Sequence, residues 1–161
     1  MAATEHAGRS WLRAIGIGIL VSALTAAVML ALTAAGVSPF PKPPSLAFAE
    51  TALGRTLPLP IGLLFHTVYV TFWSVIFVRY LPRRDVWAAL GLAALLWIVI
   101  LVVFFPIVGW GLAGLSISPK LIVASFVPHL LFGLLLWGLD MYLPGKDARG
   151  ARGTCPRSST R

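Results

Sequence analysis

The sequence predicts an all-α membrane protein, a bundle of four transmembrane helices, and its composition and charge distribution carry that prediction. The chain has 161 residues, of which 58% are hydrophobic and only 11% are charged, and its mean hydropathy is +0.90. Asp, Glu, Lys and Arg are absent from four stretches, 14–41, 56–78, 86–119 and 121–139, which are 28, 23, 34 and 19 residues long. A helix needs about 20 apolar residues to cross the hydrocarbon layer, and in lipid each span must satisfy its own backbone hydrogen bonds.

The predicted spans cover residues 12–35, 60–81, 86–112 and 119–142. We interpret the first span as a retained helix rather than a cleaved signal peptide, because its apolar run of about twenty residues exceeds that of a signal sequence. The four spans form one predicted domain, residues 1–143. The remaining residues, 144–161, are predicted to be a disordered, basic cytoplasmic tail.

The outer loop between the first two spans, residues 36–59, contains a predicted interfacial helix. Leu46, Ala49 and Leu53 are apolar at helical spacing, whereas Glu50 and Arg55 are polar. This pattern is typical of a short amphipathic helix that lies on the membrane surface. A plain loop is the alternative.

Two features of the third span predict how it ends and packs. Pro106 lacks a backbone N–H, and the stretch "FFPIVGWGLAG" around it holds three glycines, so we expect a kink and an irregular backbone. Ala89 and Ala93 have the small-residue spacing that lets helices approach closely in lipid. In the first span the same spacing predicts a packing stripe of Ala23, Ala27, Ala31 and Ala35.

The basic residues predict the orientation of the chain. Ten Lys and Arg residues fall on the side that holds both termini, and three, Lys42, Arg55 and Lys120, fall on the other side. By the positive-inside rule, both termini are therefore expected in the cytoplasm. The basic residues are scattered over short loops and the tail instead of forming one folded face, so nucleic-acid binding is not predicted.

A short motif occurs twice and predicts an internal repeat. The sequence "YLPRRD" begins at Tyr80 and "YLPGKD" begins at Tyr142, and each follows a span that is preceded by a Pro-Lys pair, in "SPFPK" and "SISPK". Two helical hairpins that cross the membrane in the same direction would produce this pattern. The alternative is convergence, because Tyr, Pro and basic residues are typical of any helix that leaves a membrane on its cytoplasmic side.

Two histidines within the predicted spans are the main candidates for function. His66 lies fourteen residues before Tyr80 and His129 lies thirteen before Tyr142, so both rings are expected about 20 Å from the cytoplasmic interface. Histidines are uncommon in lipid-spanning segments and are functional candidates there. The predicted site takes in residues on the same helix faces: Gly62, His66, Tyr69 and Trp73 from the second span, and Ser125, His129 and Gly133 from the fourth.

Three interpretations of the histidine pair are open. The rings could hydrogen-bond between helices and fix packing only, or they could line a polar pocket for a proton or a small solute. In the third interpretation His66 and His129 are the axial ligands of a b-type haem or bind a metal. No enzyme motif is present, so we expect a non-enzymatic protein, either an accessory subunit or a transport-type protein. Its expected partners are the lipid bilayer and a second copy or a larger membrane complex.

Three stretches resemble small four-helix bacterial inner-membrane proteins of unknown function: "LPLPIGLLFHTVYVTFWSV", "FFPIVGWGLAG" and "VPHLLFGLLLWGLD". The resemblance covers roughly residues 38–142. It implies a four-span topology in a bacterial inner membrane, and it lends no activity and no site residues.

Overall fold

The computed structural model describes residues 2–143, with side chains described from residue 11 onward. Its helices are α1 (Ala2–Ala34), α2 (Pro44–Leu53), α3 (Leu59–Tyr80), α4 (Val86–Val99), α5 (Phe105–Ile107) and α6 (Lys120–Tyr142). A π-helical segment, Ile100–Phe104, joins α4 to α5, and a 3-10 turn, Leu112–Gly114, follows. The predicted cytoplasmic tail, residues 144–161, lies outside the described residues.

Four helical stretches are long and apolar enough to cross a membrane: Trp11–Ala34, Leu59–Tyr80, Val86–Ile107 and Lys120–Tyr142. Every predicted boundary except one is correct to within one residue. Large apolar side chains are exposed on all four stretches, for example Leu12, Val68, Leu95 and Val123. In water such a surface would be costly, but in lipid it is the expected exterior. The all-α fold with four spans is thus confirmed, and the chain is a multi-pass membrane protein.

The third span ends five residues earlier than the predicted boundary at residue 112. Pro106 provides no backbone N–H, and the preceding backbone widens so that the N–H of Phe105 donates to the carbonyl of Ile100, five residues back. Helical geometry then stops near Gly109 and Gly111, whose φ angles are 79° and 76°. These angles lie in the left-handed region that glycine adopts readily. The predicted irregular backbone around Pro106 is confirmed.

The four long helices pack in the order α3, α1, α6, α4, so that each sequential pair forms a hairpin. Glycines allow the closest approaches. A Cβ atom at Gly18 would lie 2.7 Å from the Cα of Thr71, and one at Gly133 would lie 3.0 Å from the Cβ of Ala93. The hairpins agree with the predicted pairing of spans, whereas their origin by duplication stays a prediction.

The two predicted stripes of small residues have different outcomes. Ala89 and Ala93 are buried where α4 meets Gly133 of α6, as predicted. The stripe predicted for the first span is wrong, because its four alanines are exposed: Ala23, Ala27, Ala31 and Ala35. The buried face of α1 instead contains Ser22 and Thr25, whose hydroxyl groups find hydrogen-bond partners inside the bundle and not in lipid.

Helix α2 lies across one end of the bundle and packs on α3. It begins at Pro44 and is followed by Gly54, which has the left-handed conformation typical of a helix C-terminus. Glu50 holds the flanking loops, because its carboxylate accepts hydrogen bonds from Lys42 Nζ at 2.6 Å and from the backbone N–H of Leu57 at 3.1 Å. The predicted helix in the outer loop is confirmed.

An ion pair joins α1 to α6 at the opposite end of the bundle. The Nη2 atom of Arg13 lies 2.6 Å from Oδ1 of Asp140, whose side chain is only 8% exposed, and Arg84 approaches the same oxygen at 3.6 Å. Arg13 also donates to the carbonyls of Asp140 and Leu143. Asp140, near the C-terminal end of α6, is therefore a nearly buried bridge between α6 and α1.

Candidate functional site

A cavity of about 590 Å³ lies beneath α2 and is bordered by α1, α3, the π-helical segment and α6. Its walls are mostly aliphatic and aromatic, and its polar side chains are hydroxyl groups and the two imidazoles. Among the residues that line it, as far as the structure describes them, there is no Asp, Glu, Lys or Arg. Leu64, Val68 and Phe72 line the cavity and are more than half exposed, so it opens sideways on the lipid-facing surface of α3.

His66 reaches the cavity from α3 and is hydrogen-bonded to α1. Its Nε2 atom is 3.1 Å from Oγ1 of Thr25, which lies 2.9 Å from the carbonyl of Val21 and 3.1 Å from that of Ser22. The Thr25 hydroxyl has one proton, and when this proton is directed at the α1 carbonyls the hydroxyl oxygen accepts a hydrogen bond from Nε2 of His66. In that arrangement Nε2 carries the proton and Nδ1 is a lone-pair acceptor.

His129 reaches the same cavity from α6 with the opposite ring nitrogen engaged. Its Nδ1 atom is 2.7 Å from the carbonyl oxygen of Ser125. Since a carbonyl can only accept, Nδ1 carries the proton and Nε2 of the neutral ring is a lone-pair acceptor. The two histidines, although placed alike in the sequence, therefore use different ring nitrogens to hold their positions.

The two remaining ring nitrogens are Nδ1 of His66 and Nε2 of His129. Neither has a hydrogen-bond partner among the described residues, and the one enclosed polar side-chain atom without a partner in that part of the chain is Oγ1 of Thr71. Both rings line one cavity. The two histidines, which the sequence predicts to lie at the same depth in the membrane, thus line the same cavity.

Tyr69 and Ser125, two further predicted site residues, also line the cavity. The hydroxyl of Ser125 is already engaged, because it donates to the carbonyl of Ile122 at 3.0 Å and accepts from Nε1 of Trp97 at 3.2 Å. Trp73 packs edge-on against Tyr69, with ring centroids 6.4 Å apart, and is not among the residues that line the cavity. The structure brings together four of the seven predicted side chains.

Gly62 and Gly133, the remaining predicted site residues, are at helix contacts. A Cβ atom at Gly62 would lie 2.7 Å from the Cβ of Leu46, so Gly62 lets α2 approach α3 closely. A Cβ atom at Gly133 would likewise lie 3.0 Å from the Cβ of Ala93, so Gly133 lets α4 approach α6 closely. Sequence reasoning missed Thr25, which orients His66. Its signal was available, since Ser22 and Thr25 are hydroxyl residues one helical turn apart in an otherwise apolar span.

The residues present do not fit a bis-histidine haem. His129 meets the usual requirement, with Nδ1–H bound to a carbonyl and Nε2 free for a metal. His66 does not, because its Nε2 atom is held by Thr25. The described lining also offers no basic side chain for the haem propionates. Among the described residues no three His, Cys, Asp or Glu side chains come together as a metal site.

Fold and cavity together define a four-span membrane protein with a lateral, mostly apolar cavity and two free imidazole nitrogens. Comparisons with protein-family models, curated proteins and solved structures found no match for this chain.

Proposed function

We propose that this protein binds a small, uncharged, amphipathic solute within the membrane and serves in transport or as an accessory subunit, without enzyme activity. The observation that carries the proposal is the opening of two unpaired imidazole nitrogens, on His66 and His129, into one cavity. We place the protein in a bacterial inner membrane with both termini in the cytoplasm.

The chemistry of the cavity supports a neutral solute. A charged molecule would lose its hydration on entering apolar surroundings, and the described lining has no side chain of permanent charge to compensate it. Unpaired polar nitrogens in such surroundings are also unfavourable, and a polar group on the solute would satisfy them. A relay of carboxyl groups for protons is not supported, because the described lining contains no acidic residue.

The position of the opening supports entry from the lipid. The gap beside Leu64, Val68 and Phe72 is on the outer surface of α3, where the surrounding phase is hydrocarbon. The π-helical segment borders the cavity through Ile100 and Phe104, and such segments are frequent at functional sites. Association into a homodimer or a larger complex stays a prediction.

Filling the cavity tests the proposal. Met29 lines the cavity, whereas its neighbour Val28 is 41% exposed and outside the lining. Native mass spectrometry of purified protein with 1-aminoanthracene, an uncharged aromatic amphiphile, should show one saturable site in the wild type and in Val28→Trp. Met29→Trp should weaken binding at least tenfold. Equal binding by both variants, or no saturable site in the wild type, would refute a solute site in this cavity.

Haem binding is the third interpretation of the histidines from the sequence, and of the contacts described above only the hydrogen bond from Nδ1 of His129 to Ser125 agrees with it. An absorption spectrum of the purified protein decides between the two. Our proposal expects no Soret band. A Soret band that disappears in both His66→Ala and His129→Ala would replace the solute site with a haem site.

A further inference from the structure

We propose that the solute belongs to the hydroquinone class, an aromatic ring with two hydroxyl groups and an apolar chain, and that its hydroxyls donate hydrogen bonds to Nδ1 of His66 and Nε2 of His129. This inference rests on the proposed solute site and specifies its ligand.

The protonation pattern of the histidines selects a ligand that donates. With His66 protonated on Nε2 and His129 on Nδ1, both ring N–H groups are used within the protein, towards Thr25 and Ser125, and each ring keeps one lone pair. Both rings line the cavity. A quinone or an ether offers oxygen lone pairs only, which would meet the two nitrogen lone pairs without a proton between them. A hydroquinone supplies one O–H to each nitrogen, so the site should distinguish the reduced from the oxidised form of one ring.

The walls of the cavity select a flat aromatic body. Phe104 packs against Phe48 with ring centroids 4.8 Å apart and against Tyr69 at 5.6 Å, and Phe48 also meets Phe65 at 6.4 Å. All four rings line the cavity. Aromatic rings add specific edge and face contacts with one another beyond the area that they bury. The π-helical segment contributes Phe104 to this aromatic wall.

The size and the opening of the cavity fit such a molecule. A volume of about 590 Å³ lies within the range of roughly 300–1,000 Å³ that is usual for small-molecule sites. It holds a substituted ring and part of a chain. The rest of the chain can leave through the lateral gap at Leu64, Val68 and Phe72 and remain in lipid. The absence of charged side chains from the described lining agrees with a ligand that is neutral at pH 7.

Three matched compounds test the inference: decylhydroquinone, decylbenzoquinone and decyl-1,4-dimethoxybenzene. Binding to the wild type in lipid nanodiscs is measured by native mass spectrometry at pH 7.5, without oxygen so that the hydroquinone stays reduced. We expect the hydroquinone to bind at least tenfold more tightly than either of the other two compounds, since only it can donate to both nitrogens. Equal affinities, or tighter binding of the quinone, would overturn the inference.

Substitutions of the two histidines test whether these residues cause the preference for the hydroquinone. His66→Phe and His129→Phe should each reduce hydroquinone affinity towards that of the dimethoxy compound, while retained binding of the dimethoxy compound shows that the cavity is intact. His129→Gln, whose amide oxygen can accept a hydrogen bond, should recover part of the preference. A preference unchanged in both Phe variants would contradict the assigned contacts.

The measurements also separate this inference from the proposed function. If 1-aminoanthracene binds in the cavity but the hydroquinone shows no advantage, the ligand class is wrong and the solute site remains. If neither 1-aminoanthracene nor any decyl compound binds, both proposals fail. Nitrogen-15 NMR of the labelled histidines provides an independent check, with Nε2 of His66 and Nδ1 of His129 expected to carry the protons. The reverse tautomers would overturn the preference for a donor.

Discussion

Arg13 and Asp140 form the most enclosed ion pair of the described residues, and the pair stands at the end of the bundle opposite to the cavity. Asp140 is nearly buried, while the side chains of Arg13 and Arg84 are 21% and 46% exposed. A carboxylate in this position depends on its cation, because its own hydration has been removed. Together with the hydrogen bonds from Arg13 to the carbonyls of Asp140 and Leu143, the pair fixes α1 against the end of α6.

Removing the Arg13 guanidinium should be costly. We expect Arg13→Ala to lower the free energy of unfolding by about 2 kcal/mol, less than the loss of a fully buried partner because water reaches this site and Arg84 stays nearby. Lys42→Ala, which breaks the pair of the half-exposed Lys42 with Glu50, should lower the free energy of unfolding by clearly less than Arg13→Ala and serves as the control. Unfolding in mixed micelles, followed by tryptophan fluorescence, measures both changes. Equal losses would contradict the special role of the Arg13 bridge.

At the same scale, the sequence predicted four of the side chains that line the cavity, but not Thr25 and not the hydrogen bonds of the histidines. Counting 1.5 Å per residue from Tyr80 and Tyr142 placed His66 and His129 at one depth, and the structure places both on one cavity. Which ring nitrogen is free depends on Thr25 and on the carbonyl of Ser125. The first partner is 41 residues away in the chain, beyond the reach of a local pattern.

Among the elements, glycine determines how closely the long helices approach. Gly18 and Gly133 lie at the α1–α3 and α4–α6 contacts, whereas a Cβ atom at Gly16 or Gly138 on the same helices would meet nothing within 4 Å. Helices in lipid lack a hydrophobic drive to associate and depend on close backbone packing. Glycines at helix contacts should therefore contribute more to stability than glycines without a neighbour.

Paired substitutions test this difference. Gly18→Val and Gly133→Val should each lower the free energy of unfolding by about 1–3 kcal/mol, because the added methyl groups force the helices apart. Gly16→Val and Gly138→Val should change it by less than about 0.5 kcal/mol, the usual range for sites without close contacts. Unfolding in mixed micelles measures all four. A similar loss at Gly16 or Gly138 would show that helix propensity, not packing, determines the effect.

Helix α2 depends on the carboxylate of Glu50 for its connection to the neighbouring loops. The hydrogen bond from Lys42, followed by that from the backbone N–H of Leu57, holds the pKa of Glu50 below its ordinary value. Because the folded pKa is lower than the unfolded one, the stabilisation is fully present above the ordinary Glu pKa and is lost as pH falls through the lowered value.

Acidification should therefore loosen the segment from Lys42 to Leu57 before it affects the long helices. Hydrogen exchange of peptides covering residues 42–57, corrected for intrinsic rates, should speed up between pH 6 and pH 3 in the wild type. Glu50→Gln should exchange faster at pH 6 and show little further change on acidification, since its amide does not titrate. An equal pH response of the variant would assign the effect to another group.

For the whole molecule, the two ends of the bundle differ in charge and in structure. One end has Arg13, Arg79 and Arg84, and the other has Lys42, Arg55 and Lys120 together with α2. Along the sequence, ten basic residues fall on the side of the first end and three on the side of the second, and this excess predicts that the first end faces the cytoplasm. The cavity, which reaches Phe48 of α2, would then lie in the outer half of the membrane.

Cysteine labelling tests the orientation. In a Cys155→Ser background, Thr56→Cys should react with a membrane-impermeant maleimide in intact bacteria, and Arg83→Cys should react only after the membrane is permeabilised. Both positions are exposed, so access to the reagent depends on the side of the membrane. Labelling of Arg83→Cys in intact cells would reverse the topology and place the cavity in the cytoplasmic half.

The sequence by itself determined the four spans, the outer helix, the irregular end of the third span and the common depth of the histidines. These features depend on the local density of apolar residues, on proline and glycine, and on a fixed rise per residue. Only the tertiary structure decided that the alanine stripe of α1 is exposed, that Asp140 is a bridge, and that one nitrogen of each imidazole is free. These results depend on how each helix is rotated about its axis, and in an apolar segment almost every face is equally compatible with lipid.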